Sequence, residues 1–287
     1  MIKPQFFTPA QAVGIYVDAQ GLTATQCAAA QPDRVQWREY QALEDGSASE
    51  PAGDFFQRVH RQVGRRYIPL SIALADPWVH QVMLEFDNLP GKTRERDSLI
   101  QWRLARDWQR DMQQYAISWQ HLGEHAGRQW VVAQSIERQR LEPLVRQARA
   151  HGLMLSAIDA ISNLLLNRLP AQDNTLLLHL QADYWSLSVT HDHGWPMYRR
   201  STWERLPGPA QCEAFAAQLE RMVVPVKPGR LERLVLVSAT EPPPALCEAL
   251  AARLGKAPDV LALPGVKHAS RTPAERLAMQ AVGSLCL

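Results

Sequence analysis

Two turns in this sequence have the placement of nucleotide phosphate loops, because each follows the first strand of a predicted three-strand run. The first turn, Asp18 to Thr23, has an aspartate at the strand end and one glycine. Glycine lets a backbone approach a phosphate closely, and an aspartate at a strand end commonly holds a metal ion through water. The second turn, Gln181-Ala182-Asp183, has no glycine. Whether these turns still bind phosphate decides between an enzyme and a scaffold.

Other motifs for catalysis or ligand binding are incomplete. Gly91-Lys92-Thr93 would need a glycine where Phe86 stands to form a P-loop, so we expect a turn followed by a helix start. His191-Asp192-His193 precedes Gly194 and is typical of a hairpin turn rather than a metal site. The serines and cysteines have no spaced histidine partner of the kind that nucleophilic catalysis needs. We therefore expect neither a catalytic nor a metal site.

The composition indicates a two-domain protein without a nucleic-acid or membrane surface. The chain has 287 residues, 46% of them hydrophobic and 21% charged, which suffices for two cores. Its 31 basic and 29 acidic residues are spread along the chain, and the net charge is only +2. No stretch reaches the roughly 20 apolar residues of a membrane span, and the cysteines form no CxxC pair. We expect a cytoplasmic protein.

The pattern of strands and helices occurs twice along the chain. The second half has three strands, a helix, a strand, a helix, a strand and a helix, which is the order of a ribonuclease-H-like domain. The first half has the same order if an inserted subdomain interrupts it. We therefore predict an α/β fold with a duplicated ribonuclease-H-like architecture and a reduced second half. The predicted units are residues 1–80 with 153–172 for the first domain, 81–152 for the insert, and 173–287 for the second domain.

Helix ends and faces add smaller predictions. Ser135 and Asp159 are candidate N-caps for the helices that follow them. A helix is predicted from about Arg94 to Asp111, with Ile100, Leu104 and Trp108 on its buried face. Trp102 lies on the opposite face, where an exposed aromatic side chain would indicate a binding surface.

Several phrases of the sequence resemble the actin-like ATPase superfamily and, within it, the PilM-type pilus assembly proteins with their relatives HofM, MshI and the cytoplasmic part of GspL. The first of these segments resembles the family's opening strand, and the second resembles the region where its inserted subdomain begins. The third resembles its signature of glycine, leucine and an aspartate at a strand end. The last two resemble the strand, loop and helix on the adenosine side and the terminal helix. In the same order, the five segments are Val13 to Asp18, Arg66 to Phe86, Ala150 to Ala160, Leu236 to Pro258, and Met279 to Gly283. Together they span nearly the whole chain.

The departures from that family concern nucleotide binding. Asp18 and Gly21 survive in the first turn, but the hydroxyl cluster and the lysine expected after them do not. In the second turn His179 stands where the family's aspartate is expected, and Gln181 stands where its glycine is expected. Ala239-Thr240-Glu241 replaces the glycines of the adenosine loop. The resemblance therefore implies a degenerate nucleotide cleft and no cofactor, and the alternative is an ATPase that binds ATP and Mg²⁺ through Asp18 and Gly21.

The resemblance also implies a function and a partner. We expect a non-catalytic cytoplasmic adaptor of a type IV pilus machine, held at the inner membrane by a PilN-like protein with a single membrane span. The partner's N-terminal peptide would dock as an extended segment between the first domain and its insert, where the candidate contacts are Val82, Leu84, Trp102 and Trp119. A GspL-like component of a type II secretion system is the other alternative, and a homo-oligomer is compatible with either.

Overall fold

The structure is a computed structural model, and its strands form three sheets. It describes residues 11–28, 31–43, 52–64, 68–125, 127–166, 174–181, 183–190, 197–202, 207–223, 231–238 and 242–260. Two of the sheets have five strands each, and the third has three strands. We name the parts built on them the first domain, the second domain and the insert.

The first domain contains a sheet with the order β3-β2-β1-β4-β8. β1 pairs antiparallel with β2 and parallel with β4, and β4 pairs parallel with β8. Its elements are β1 (Gln11–Val17), β2 (Gly21–Ala28), β3 (Gln31–Ala42), α1 (Ala52–Val63), β4 (Pro69–Leu74), β8 (Met154–Ala160) and α4 (Ile161–Leu166). α1 ends at Gly64, whose φ of 70° suits a glycine at a helix C-terminus.

The insert lies in the chain between β4 and β8. Its elements are β5 (Val79–Phe86), α2 (Thr93–Trp108), β6 (Tyr115–His125) and β7 (Arg128–Glu137), followed by α3 (Arg138–Ala150). The sheet order is β5-β7-β6, with antiparallel pairs. Leu144 and Ala148 of α3 belong to the core of the first domain. The packing thus places α3 with the first domain, although the sequence assigned it to the insert.

The second domain has the sheet order β11-β10-β9-β12-β13, which is the order of the first sheet. Its elements are β9 (Thr175–Leu180), β10 (Tyr184–Val189), β11 (Met197–Thr202), α5 (Pro209–Val223), β12 (Arg233–Ser238), α6 (Pro244–Leu254) and β13 (Asp259–Val260). Because α5 and α6 occupy the chain positions of α1 and α3, the duplicated ribonuclease-H-like fold is confirmed. The helix predicted near Pro273 to Val282 lies outside the described residues.

Two predicted helix boundaries are wrong. Ser135 is not an N-cap, because it lies within β7 and α3 begins at Arg138. α2 ends at Trp108 rather than near Asp111, because Gln109 adopts a left-handed conformation with φ of 52°. Such a conformation is uncommon for a residue other than glycine, so the sequence carries little signal for this helix end.

The side chains of the central strands alternate between the core of their own domain and the contact between the two domains. In β1, Val13, Ile15 and Val17 pack into the core of the first domain, whereas Tyr16 faces the other way. In β9, Leu176, Leu178 and Leu180 pack into the core of the second domain, whereas Leu177 faces the other way. The outward faces of both sheets meet in a separate cluster together with α4. Its buried members are Tyr16, Ala73, Ala75, Ile161, Leu164, Leu165, Leu177, Tyr184, Val235 and Val237. These strands are therefore apolar on both faces.

Candidate functional site

The aspartate of the first turn is engaged by its own turn. The Oδ1 atom of Asp18 accepts hydrogen bonds from the backbone N–H groups of Gln20 at 2.8 Å and Gly21 at 3.0 Å. Aspartate commonly stabilises tight turns in this way. Burial raises the pKa of Asp18 and outweighs the two backbone hydrogen bonds, which lower it. The carboxylate therefore binds backbone N–H groups of its own turn, which lie within three residues of it in the sequence.

The glycine of the first turn has a packing reason. A Cβ atom on Gly21 would lie 2.5 Å from the backbone oxygen of Gln41 and 2.9 Å from the ring of Tyr40. Both contacts come from β3, which pairs with β2. Close approach of two strands therefore explains this glycine without a phosphate.

A buried polar network lies where the two domains meet. Asp76, which follows β4, is fully buried. Its Oδ1 atom accepts from the backbone N–H of Ser162 at 3.1 Å, and its Oδ2 atom accepts from the hydroxyl of Ser186 at 2.6 Å. The Nδ1 atom of His179 lies 3.2 Å from the same Oδ2 atom. Asp76 therefore belongs to the first domain and bonds to two strands of the second.

The pKa of Asp76 reflects this network. Burial alone raises the pKa, but the hydrogen bonds from His179, Ser186 and Ser162 outweigh it. The net pKa lies below the ordinary value for an aspartate. Asp76 is thus held as a carboxylate.

His179 and Gln181, the two substituted positions of the second turn, contact each other. Nε2 of Gln181 lies 2.7 Å from Nε2 of His179, and both side chains are buried. The ring of Tyr184 meets the imidazole edge to face, with centroids 5.7 Å apart. The hydroxyl of Tyr184 lies 3.4 Å from that of Tyr16 in the first domain. The described part of this interface is filled by side chains of the protein itself.

Asp159 has a different role from the predicted N-cap. Its Oδ1 atom accepts from the backbone N–H of Ala160 at 2.7 Å and from Nδ2 of Asn163 at 2.8 Å. The N–H of Ser162 in the first turn of α4 donates to Asp76 instead. A residue distant in the sequence therefore accepts one of the free N–H groups at the start of this helix. Burial raises the pKa of Asp159, and its partners, including the Gln134 side chain of the insert, lower it less.

The side chains at these positions are engaged in contacts within the protein. The carboxylate of Asp18 caps its turn, Gly21 packs against β3, and His179 and Gln181 are buried in contact with Asp76 and with each other. A phosphate or a metal ion would have to break these contacts. Ala239, the fifth residue of the predicted degenerate cleft, lies outside the described residues.

Three of the four candidate partner contacts face α2. Leu84 is 3% exposed and belongs to the core of the insert, and Val82 and Trp119 pack against that core. Nε1 of Trp119 also donates to Oδ1 of Asp97 on α2 at 2.7 Å. Trp102 is 56% exposed, as its position on α2 predicted, and the guanidinium of Arg106 lies 5.0 Å from its ring centroid. Leu84 is thus unavailable to a partner while the insert is folded.

The other face of the insert sheet is turned toward the first domain, and sequence reasoning missed it. On β5 this face carries Val79, which packs in the core of the first domain, and then Gln81 and Met83. Gln134 of β7 pairs with Gln81, donates to its side chain at 3.3 Å and also bonds to Asp159 of β8. Strict alternation from Val79 would have identified these residues.

The sheet order, its duplication and the interdomain face define the fold of the actin-like ATPases. Over 98% of its length the chain is similar to 98% of a chain in the PilM–PilN type IV pilus biogenesis complex, with 14% identity and a TM-score of 0.62. This likeness confirms the predicted fold. No family model and no curated protein matches the sequence.

Two further solved structures share the fold. The cytoplasmic domain of EpsL, an inner-membrane component of the type II secretion system of Vibrio cholerae, matches over 81% of this chain and 83% of its own, with 14% identity and a TM-score of 0.52. A Bacteroides thetaiotaomicron protein of actin-like ATPase fold and unknown function matches over 88% and 91%, with 10% identity and a TM-score of 0.52. Within the described ranges, no helix has the length and apolar character that crossing a membrane requires.

Proposed function

We propose that this protein is a non-catalytic adaptor of a type IV pilus assembly machine and that it binds the cytoplasmic N-terminal peptide of a PilN-like inner-membrane protein. The observation that carries the proposal is the likeness to a chain of the PilM–PilN complex over 98% of both chains. Binding of that partner would hold the protein at the cytoplasmic side of the inner membrane. A role without ATP hydrolysis is supported by Asp18, His179 and Gln181, whose side chains are engaged in internal contacts.

The peptide site that we propose is the face of the insert sheet that carries Gln81 and Met83. Among the described residues, β5 pairs with β7 along one edge and with no strand along the other. An extended peptide can add to such an edge through backbone hydrogen bonds, while side-chain pockets supply the specificity. Met83 is half-buried and adaptable in shape, and Gln81 offers an amide beside it. The proposed site therefore combines a strand edge with no pairing strand among the described residues, an apolar contact and a polar contact.

The test is a titration of the protein with a fluorescent synthetic peptide that copies the cytoplasmic N-terminus of a PilN-like protein from the same genome. We expect saturable binding that weakens by about tenfold or more in Met83→Glu, because a charge would be buried under the peptide. Trp102→Ala is the matched control, since it removes a large side chain from the exposed face of α2. Its affinity should equal that of the unchanged protein.

Three outcomes count against parts of the proposal. Absence of saturable binding would reject the adaptor function. Binding that survives Met83→Glu but is lost in Trp102→Ala would move the site to the outer face of α2. Micromolar ATP binding that needs Asp18 would instead support a nucleotide-dependent protein.

A component of a type II secretion system is the second candidate function. The likeness to the cytoplasmic domain of EpsL favours it, although that match covers 81% of the chain. The same titration with a peptide from the secretion partner, if the genome encodes one, separates the two candidates by relative affinity.

A further inference from the structure

We propose that Asp76, His179 and Ser186 form an interdomain clasp, which holds the two domains in one orientation without a bound ligand. Asp76 belongs to the first domain, and His179 and Ser186 belong to the central strands β9 and β10 of the second. The clasp goes beyond the adaptor function and does not depend on it.

The clasp is bonded to three separate parts of the fold. One carboxylate oxygen of Asp76 accepts from Ser162 on α4, and the other accepts from Ser186 and faces Nδ1 of His179. The side chains of Asp76 and His179 are both 0% exposed. Rotation of one domain against the other would pull Ser186 and His179, which belong to the second domain, away from the carboxylate. A single acceptor thus fixes α4, β9 and β10 relative to the end of β4.

Gln181 orients the histidine of the clasp. With its Nε2 atom 2.7 Å from Nε2 of His179, the amide donates to an unprotonated ring nitrogen. The ring proton of the neutral imidazole then resides on Nδ1, where it can be donated to Asp76. Gln181 therefore selects the tautomer that closes the clasp.

The surroundings make an open clasp unfavourable. Tyr16, Ala73, Leu177 and Val237 belong to the apolar cluster at the same interface. A carboxylate that loses its donors in such surroundings is left as an uncompensated buried charge. The apolar cluster supplies adhesion between the domains, and the clasp supplies the specific orientation.

The position of the clasp explains how a protein of this fold can remain closed on its own. His179 stands where the sequence resemblance expects a metal-binding aspartate, and its bond to Asp76 runs from one domain to the other. In an open cleft, a ligand between the domains would supply such a bridge. Here side chains of the protein itself form the bridge.

The experiment compares two substitutions of His179 in the full chain. His179→Leu removes the imidazole donor to Asp76 and replaces it with an apolar side chain of similar size. In His179→Asn, the side-chain amide can still donate to Asp76. We measure the number of thermal transitions by calorimetry and the distribution of interatomic distances by small-angle X-ray scattering. The unchanged protein and His179→Asn should show one transition and one compact distribution. His179→Leu should show two transitions and a broader distribution.

Asp159→Asn is the control, because Asp159 is a second aspartate near a strand end, and its hydrogen-bond partners Ala160, Asn163 and Gln134 lie in the first domain and the insert. It should change the transition temperature without splitting the transition. If His179→Leu does not fold, Ser186→Ala removes one of the bonds to Asp76, and the clasp then predicts faster hydrogen exchange, by about tenfold, at the backbone amide of Ser162, which donates to the same carboxylate.

The clasp is rejected if the unchanged protein already unfolds in two transitions. It is also rejected if His179→Leu keeps one transition and the same distance distribution, or if His179→Asn is as damaging as His179→Leu. Unchanged exchange at the Ser162 amide in Ser186→Ala would reject it as well.

Discussion

The imidazole Nδ1 atom of His179 lies 3.2 Å from Oδ2 of Asp76, although 103 positions separate the two residues along the chain. The pair crosses from the end of β4 in the first domain to the first strand of the second. His179 stands where the sequence resemblance expects an aspartate, and here it faces Asp76. The residues that depart from the family pattern are therefore structural partners rather than neutral losses.

The pH dependence of stability should carry the signature of Asp76. A carboxylate whose pKa is lower in the folded than in the unfolded chain stabilises the fold at every pH above its ordinary pKa. This contribution is lost as the pH falls through the ordinary value of 3.8 and on through the lowered folded value. Asp76→Asn should cost about 1.5–3 kcal/mol at neutral pH because it removes the charge that strengthens these buried hydrogen bonds, and the loss should shrink in acid. Urea unfolding from neutral pH to about pH 3 measures this.

Asp159→Asn is a control that should change the pH dependence of stability in the opposite direction. The groups that act on Asp76 are His179, Ser186 and Ser162, and it also interacts electrostatically with Tyr16 and Asp159. Because burial raises the pKa of Asp159, its protonation favours the folded state as the pH falls. Removing it should steepen the acid loss, whereas removing Asp76 should flatten it. Parallel curves for the two variants would contradict the assigned pKa shifts.

A contrast at Asp18 separates a turn cap from a nucleotide ligand. Asp18→Asn keeps an oxygen for the N–H groups of Gln20 and Gly21 and removes a partly buried charge, so stability should stay within about 0.5 kcal/mol or rise. Asp18→Ala should cost about 1–2 kcal/mol because both bonds are lost. Thermal unfolding with and without Mg-ATP checks both points. A nucleotide-dependent rise in Tm that Asp18→Asn abolishes would contradict the turn-cap role.

The fold could be predicted from the sequence to a large extent because its signals are local. Alternating apolar strands and the repeated element order identified both domains. The end of α2 at Gln109 was missed because no glycine or proline marks it. Assignment of α3 to the first core was also missed, since chain order does not reveal which core a returning helix joins.

The site was harder to predict because its bonds are long-range. Asp76 was interpreted only as the end of a strand, and nothing local connects it to Ser186 at a separation of 110 positions. One signal was available. His179 interrupts the apolar strand Thr175–Leu180, and a histidine on a strand that is buried on both faces needs a polar partner. That partner could have been sought among the acidic residues at the ends of the other central strands.

Leu84→Ala should behave as a core substitution. Leu84 is 3% exposed among Phe86, Ile100 and Leu104, so the loss should be about 2–5 kcal/mol. Trp102→Ala removes an exposed side chain and should change stability by less than about 0.5 kcal/mol. Chemical denaturation measures both. Peptide affinity of the folded fraction should be unchanged in Leu84→Ala, and a selective loss of affinity without destabilisation would return this residue to the partner site.

Gly21→Ala tests whether the surviving glycine of the first turn is required by packing. Its new Cβ atom would lie 2.5 Å from the Gln41 backbone oxygen, which cannot move without disturbing the pairing of β2 with β3. We expect a loss of about 1–3 kcal/mol, as for other overpacked sites. Gly91→Ala is the matched control, because nothing lies within 4 Å of the position its Cβ atom would take. Thermal unfolding of both variants should show a loss only for Gly21→Ala, and equal stabilities would mean that the turn tolerates a side chain and that the glycine has another cause.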